Sequence, residues 1–309
     1  MKRPIYNALY SLRHNRGHFF AALIVRLRFL FPAKPYLKLV YRFEFGKKLD
    51  LKTPKTYNEK LQWLKLYYHR PEFVDMVDKE AVKSRVARLV GEEYVIPTLG
   101  SWSNVEDIDW ELLPNQFVLK TTHDGGNNGV VICRDKDSFN KSKAITKLRR
   151  SLNRNTYLLG REWPYKMIQH RVLAEKYIED SVLKDLRDYK FFCFDGKVKM
   201  MYVASERGKV GEDVKFDFFD EHYNHLDLKQ THENSSQVPP KPKTFDKMVR
   251  LAEILSVGIP HVRVDLYEVN GKVYFGEYTF FHRGGMAPFV PDKYDLVLGD
   301  YLKLPEKIV

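Results

Sequence analysis

Two carboxylates and a guanidinium stand at strand spacing in His261-Val262-Arg263-Val264-Asp265-Leu266-Tyr267 and Tyr274-Phe275-Gly276-Glu277-Tyr278-Thr279, with Asn270-Gly271 between the two runs. Alternating apolar residues around a two-residue Asn-Gly turn form the strongest short-range signal for a β-hairpin. Asp265 and Glu277 are therefore expected on paired strands and on one face, with Arg263 beside them. Charges in a segment otherwise built for burial are costly unless a counter-charge or ligand satisfies them. Mg²⁺ held against a nucleotide phosphate is the natural filler. The loop that follows, Phe281-His282-Arg283-Gly284-Gly285-Met286, reads either as a plain turn or as a source of positive charge and backbone N–H groups beside that cation.

A second pattern suits phosphate. The apolar run Phe117–Thr122 delivers Lys120, and Gly125-Gly126-Asn127-Asn128-Gly129 then returns the chain into Val130-Val131. Glycines let backbone N–H groups approach phosphate oxygens, and a lysine in an apolar strand wants an anion. The spacing is neither a Walker loop nor a dinucleotide fingerprint, because the loop leads into a strand and not a helix. A purely structural hairpin loop is the alternative. In Val172-Leu173-Ala174-Glu175-Lys176-Tyr177-Ile178 an apolar strand is interrupted by an acid and a base, which gives either a hinge whose backbone reads a nucleotide base or a surface ion pair. Asp188, in Arg187-Asp188-Tyr189-Lys190, is placed to accept from ribose hydroxyls or simply to start a strand.

The elements that must position these groups follow from periodicity. Helical spacing runs from Tyr57 to about Val90, with Gly91 as terminator, and again near Ser138–Asn153 and Phe245–Ser256. Strands are expected at 117–122, 129–133, 172–178, 189–194, 198–204, 214–219, 262–269 and 272–280, with Asp195-Gly196 as a second tight turn. Hairpins interleaved with helices indicate an α+β fold rather than a doubly wound sheet. Asn234–Lys243 is polar and Pro-rich, a surface loop. The expected organisation is a basic apolar segment over 1–52, a helical part over 53–110 and a mixed sheet domain over 111–309.

Composition narrows the class. The net charge of +12 is concentrated at the N-terminus, where residues 1–60 hold fourteen Lys or Arg against three acids. The rest of the chain is nearly neutral, so a nucleic-acid-binding body is not expected. Phe19–Phe31 is apolar but spans thirteen residues and contains Arg26 and Arg28, short of the ~20 that a membrane span needs. It is left to peripheral contact with an anionic membrane through residues 1–50, or to packing on the body. Cys133 and Cys193 lack metal or disulfide spacing, which suits the cytoplasm. His222, His225 and His232 read as a solvated loop, and no Gly-x-Ser-x-Gly elbow is present.

Taken in order, these pieces resemble the ATP-grasp superfamily, and most closely its TupA-like family, named for teichuronopeptide biosynthesis and associated with bacterial surface polysaccharide. The resemblance covers roughly residues 53–290. It rests on Thr53-Pro54-Lys55-Thr56-Tyr57-Asn58-Glu59-Lys60-Leu61-Gln62-Trp63-Leu64, Asp78-Lys79-Glu80-Ala81-Val82-Lys83, the Lys120 strand with its glycine loop, Glu175-Lys176-Tyr177-Ile178, Asp188-Tyr189-Lys190-Phe191-Phe192 and Phe275-Gly276-Glu277-Tyr278-Thr279-Phe280. It implies two α+β subdomains gripping ATP. Lys120 would contact phosphate, and Gly125, Gly126, Asn127, Asn128 and Gly129 would close over the triphosphate. Glu175, Lys176, Tyr177 and Ile178 would form the adenine hinge, and Asp188 and Lys190 would belong to the nucleotide site. Asp265 and Glu277 would hold Mg²⁺, and Arg263 would stabilise charge at the reacting centre. Thr279 stands where many relatives have Asn, so a hydroxyl replaces a stronger ligand there. The implied reaction is ATP-dependent carboxylate–amine ligation through an acyl phosphate, with a uronic-acid carboxylate of an anionic polysaccharide and an amine as partners. A sugar phosphotransferase or a glycosyltransferase of the same pathway is the alternative.

Overall fold

The computed structural model describes residues 16–180, 187–205 and 214–309. The chain opens with a helical hairpin, α1 (Arg16–Arg26) and α2 (Ala33–Phe45), joined by a 3₁₀ turn at Arg28–Leu30. It closes around Tyr36, Leu37, Val40, Tyr41 and Leu49. Gly46, at φ 68°, ends α2 in the left-handed conformation that glycine adopts without penalty. The first fifteen residues of the expected basic segment lie outside the described residues.

The single helical pattern expected from Tyr57 to Val90 is three helices, α3 (Tyr57–Tyr67), α4 (Glu72–Val77) and α5 (Val82–Val90). Pro71 explains the first break, since it donates no N–H and restricts the residue before it. Asp78 accounts for the second, its carboxylate accepting from the N–H groups of Glu80 at 2.8 Å and Ala81 at 3.0 Å. A capping box opens α3. Thr56 Oγ1 accepts from the Glu59 N–H, and the Glu59 carboxylate accepts from the Thr56 N–H.

A four-stranded sheet follows, in the order β1-β4-β2-β3. Its strands are β1 (Thr98–Trp102), β2 (Phe117–Thr121), β3 (Val130–Cys133) and β4 (Val172–Lys176), and α6 (Lys141–Leu152) with the short α7 (Thr156–Gly160) lies between β3 and β4. The neighbours are antiparallel. Phe117, Leu119, Leu148, Val172 and Ala174 form its core. The strand expected over 172–178 stops at Lys176, so Tyr177 and Ile178 leave the sheet.

The second sheet has the order β7-β6-β5-β8-β9. It comprises β5 (Asp188–Phe194), β6 (Lys197–Ser205), β7 (Lys215–Asp220), β8 (Val262–Val269) and β9 (Lys272–Thr279), all antiparallel. Both expected tight turns are present, with φ positive at Asp195 and Gly196 (46° and 77°) and at Asn270 and Gly271 (51° and 74°). Two successive positive φ values match the right-handed twist of the strands they join. The helix α8 (Phe245–Ser256) packs on one face, where Cys193 Sγ lies 3.7 Å from Ala252 O and the Tyr278 hydroxyl donates to Leu255 O at 2.8 Å. The other face is covered by α3 at one end, through Tyr57 against Phe192 and Phe194. Helix α9 (Lys293–Tyr301) closes over α3, its Asp295 accepting from the Asn58 N–H at 2.9 Å. What α3 leaves open on that face carries the chemistry.

Candidate functional site

The β8–β9 register sets Arg263 opposite Thr279 and Asp265 opposite Glu277, with a bulge after Asp265. Directly paired residues share a face, so the two expected acids do come together. The Asp265 carboxylate is fully buried and accepts two bonds from Arg263, Nε and Nη2 each at 2.7 Å. Lys190 stands across from Asp265 on β5. Its ammonium pairs with Asp265 and, at 2.6 Å, with Asp188 two residues earlier on the same strand. Burial works against the Lys190 ammonium, but Asp188 and Asp265 more than offset it and leave its pKa above the ordinary value. Asp188, expected as an open acceptor, is buried in this network.

Arg263 is fixed on every side. Its Nη2 donates to Thr279 Oγ1 at 2.9 Å and its Nη1 lies 2.7 Å from His282 Nδ1. Since a guanidinium only donates, His282 Nδ1 accepts and its Nε2 carries the proton toward Gln230 Oε1 at 2.6 Å. Burial and Arg263 hold the His282 pKa well below the usual value, which agrees with a neutral ring. Glu277 is less constrained, 3.7 Å from Arg263 Nη2. Burial raises its pKa, but Lys79, Lys190 and Arg263 outweigh that and keep it an anion.

Facing this are three lysines from the first sheet and its flanking helix. Lys120 on β2 and Lys83 on α5 each grip one oxygen of Glu175, at 2.5 and 2.6 Å. Lys79, just before α5, donates to Asp124 O at 2.7 Å, and its pKa is lowered by burial and by Lys120 against the pull of Glu277. Lys79 therefore connects the glycine loop to the acids of the second sheet. The Glu175 side chain orients two lysines and is not itself turned to the hinge. Past it, Lys176 donates its N–H to Pro97 O at 3.0 Å, and the Tyr177 hydroxyl donates to Glu179 at 3.0 Å while accepting from Arg134 Nε at 3.1 Å. Lys176 and Ile178 border a cleft of about 440 Å³ shared with Val95, Val273 and Tyr274.

The glycine loop has a clamped base and an open tip. Asp124 is buried, accepting from Ser151 Oγ at 2.7 Å and pairing with Arg154 at 3.3 Å. A Cβ on Gly129 would lie 2.0 Å from Thr121 Oγ1 and 2.4 Å from Ser151 Oγ, so only glycine fits there. A Cβ on Gly125 or Gly126 would meet nothing within 4 Å. Asn127 and Asn128 are exposed with them, and Asn128 Nδ2 donates back to Gly125 O at 3.0 Å. Beneath the base, His123 stacks on His170 with ring centroids 3.4 Å apart.

The loop after β9 differs from its expectation. Arg283, Gly284 and Gly285 are all left-handed, at φ 50°, 61° and 59°. The Arg283 guanidinium turns away to Thr231 and over the Phe216 ring at 5.3 Å, so its nearest partners are not the two acids. The carbonyls are held by α3: Lys65 Nζ donates to Gly284 O at 2.6 Å, and Gln62 Nε2 donates to Gly285 O at 2.8 Å. Burial presses the Lys65 pKa down to about 8 against the attraction of Glu162. Of the discounted histidines, His225 rests 3.4 Å from Asp217 and His232 packs on Phe216.

Sequence reasoning missed four participants. Lys79 and Lys83 were visible as an i, i+4 basic pair in Asp78–Lys83. Glu162 and Tyr165 sit around a 3₁₀ turn, Trp163–Lys166, where no periodicity marks them. The Tyr165 hydroxyl is raised far above its usual pKa by burial and by the fields of Glu162 and Glu277. Glu162, raised by burial and opposed by Lys65 and Arg263, makes no side-chain hydrogen bond or ion pair among the described residues.

The TupA-like ATPgrasp family profile matches residues 59–303. The chain belongs to the TupA-like ATP-grasp family. Membership brings the ATP-grasp fold, here two sheet layers with cations and acids converging between them, and with it dependence on ATP. Among solved structures this TupA-like chain is similar to a D-alanine–D-alanine ligase from Helicobacter pylori, at 15% identity and a TM-score of 0.42 over 80% of this chain and 69% of that one. It is similar to the D-alanine–D-alanine ligase from Bacillus anthracis, at 17% identity and 0.40 over 74% and 66%, and to the ATP-grasp ligase PsnB in complex with a minimal precursor, at 12% and 0.41 over 79% and 66%. The chain thus spans about two thirds of the length of these ligases. No curated protein matches the chain.

Proposed function

We propose that the chain is an ATP- and Mg²⁺-dependent carboxylate–amine ligase of the cytoplasm, acting on an acidic sugar of bacterial surface polysaccharide. The observation that carries this is the meeting of Lys79, which neighbours Lys120 and through it Lys83, with Glu277, the partner of Asp265 across the β8–β9 pair. Lys79 and Lys83, whose pKa values burial and then Lys120 press down, are relieved by a polyanion, and paired acids by a divalent cation. Mg²⁺ is commonly held by one or two carboxylates together with substrate phosphates, which fits a face where Asp188, Asp265 and Glu277 outnumber Lys190 and Arg263. Among the described residues no group of three or more His, Cys, Asp or Glu could hold a metal by itself. Asp265 and Glu277 would hold the ion, with the Thr279 hydroxyl beside them, and when bound it supplies charge neutralisation for the phosphates.

The residues divide the remaining work. The base lies along the Glu175–Ile178 hinge, and Asp188, which opens β5, meets the ribose. Lys79, Lys83 and Lys120 hold the phosphates while the exposed Gly125–Asn128 tip covers them. Phosphoryl transfer needs positioning and charge stabilisation more than an enzyme nucleophile. A substrate carboxylate oxygen takes the γ-phosphoryl group and ADP leaves. The amine then attacks the acyl carbon, the carbon–oxygen bond to phosphate breaks, and phosphate departs. Arg263, fixed by Asp265 and His282, faces the charge that develops on the carbonyl oxygen. An amine arrives as its ammonium and must lose a proton. Glu162, which makes no side-chain hydrogen bond or ion pair among the described residues, supports that step by accepting it. The uronic-acid acceptor rests on the family's association with teichuronopeptide.

The test is ADP formation with Mg-ATP, a uronic acid and hydroxylamine as the amine. Ligation yields ADP, free phosphate and a hydroxamate in equal amounts. A stable phosphorylated sugar without free phosphate would overturn the reading in favour of phosphotransfer.

A further inference from the structure

A close-set run of exposed large apolar side chains marks the N-terminal hairpin: Phe20, Leu23, Leu27, Phe29 and Leu30. Phe20, Leu23 and Leu27 follow i, i+3, i+7 spacing and share one face of α1, whose last turn is extended by the Leu27 N–H bond to Leu23 O at 3.0 Å. Ala21, about 100° round the helix from Phe20, is fully buried, and Ile24 and Val25 pack into the α2 core; Phe20 borders that packed face, 5.4 Å from the Phe43 ring, and Leu23 and Leu27 are left exposed. At the tip, Phe29 and Leu30 are 68% and 63% exposed. The same hairpin carries exposed cations, Arg26, Lys34, Lys38, Arg42, Lys47 and Lys48, and Glu44 is the one acid among residues 16–48.

The hairpin is tied to the body. Arg161 Nη2 donates to Phe31 O at 2.9 Å and stacks its guanidinium on Tyr36 at 4.8 Å, while the Tyr36 hydroxyl donates to Leu159 O at 2.6 Å. The backbone of the tip is thus fixed against the body while the Phe29 and Leu30 side chains stay exposed. Among the described residues no helix is long and apolar enough to cross a membrane. An apolar stripe with cations on the same short hairpin is the pattern of a segment that lies in the headgroup layer, where burial of the apolar face and attraction to anionic lipid add together. A soluble polyanion would use the cations and leave Phe29 and Leu30 in water.

We infer that the α1–α2 hairpin docks this enzyme on an anionic lipid bilayer, with Phe29 and Leu30 inserted and the hairpin's lysines and arginines on the headgroups. The inference is independent of which reaction the site performs. Its test is co-sedimentation of the full chain with vesicles of phosphatidylglycerol and phosphatidylethanolamine, against vesicles of phosphatidylcholine. The wild type is expected to pellet with the anionic vesicles at least about tenfold more strongly, and to be released as salt rises. F29S with L30S removes the inserted side chains, and K34E with K38E reverses two of the charges. Each pair is expected to lose at least about tenfold in vesicle binding while binding Mg-ATP as before. Wild type left in the supernatant, or F29S/L30S pelleting as the wild type does, overturns the inference. So does binding to soluble polyglucuronate, unchanged in F29S/L30S, without binding to vesicles.

Discussion

The two faces of the cleft are unbalanced in opposite senses. On the side of the first sheet Lys83 and Lys120 share one buried acid, Glu175, while Lys79 donates to the Asp124 carbonyl. On the second sheet three acids share two buried cations, Lys190 and Arg263. The acid-rich face is nearly satisfied internally, because Asp265 alone takes bonds from both cations. The lysine-rich face is not, since Lys79 and Lys83 are both depressed by burial and by Lys120. One face is therefore built mainly to be stable and the other mainly to receive a ligand.

The sharpest way to break that contrast is to neutralise one member of each. Asp265→Asn leaves Lys190 and Arg263 buried without their shared anion, and should cost about 3 to 5 kcal/mol in urea denaturation as well as ATP turnover. Lys79→Met should leave stability within about 1 kcal/mol of wild type, since its charge is already disfavoured. It should raise the KM for ATP by about tenfold or more. Equal loss of stability in both variants would refute the division of roles.

A smaller effect separates the two ends of the glycine loop. Gly129→Ala drives a methyl into Thr121 and Ser151 and should destabilise the protein by about 1 to 3 kcal/mol. Gly125→Ala enters open space and should change the melting temperature little, although it stiffens the tip. Similar melting temperatures for the two variants would contradict the clamped base.

A last effect, smallest per pH unit, is set by two histidines. His123 is pushed down to about 4 by burial and its stacked neighbour, and His261 to about 3 by burial beside Tyr57. Below the ordinary value of about 6.5 the unfolded chain takes up protons that the native chain refuses. Stability should therefore fall as pH drops from about 6.5 toward 4, by up to about 1.4 kcal/mol per pH unit for each ring. His123→Gln should reduce that slope in urea midpoints measured at several pH values, and an unchanged slope would show that the stacked pair does not titrate this way.

What the sequence discloses follows local chemistry. Asn270-Gly271 fixes a turn type and hence the hairpin, but an unbroken register would set Asp265 opposite Gly276, and it is the bulge after Asp265 that moves the pairing to Glu277. Lys120 and Glu175 were readable because charges interrupt apolar strands. Lys79 and Lys83 were not, because lysines beside or on an amphipathic helix look like an ordinary wet face until a second sheet is set against them. β1 escaped because Gly100 and Ser101 dilute its apolar alternation. Glu162 and Tyr165 come from an aperiodic connection, whose position depends on packing over long sequence separations. The outward turn of Arg283 was equally hidden, since it depends on Thr231 and Phe216 from distant segments.

Gln62 and Lys65 reach from α3 into the turn after β9 and grasp the carbonyls of Gly284 and Gly285. A helix outside both sheets thus serves as a buttress for the wall where acceptor and amine would meet. That wall is finished before either arrives, while the opposite rim, tipped by glycines with open space beside them, keeps its freedom. Adaptation to different nucleotide states would then fall to the rim, and discrimination among acceptors to the buttressed wall.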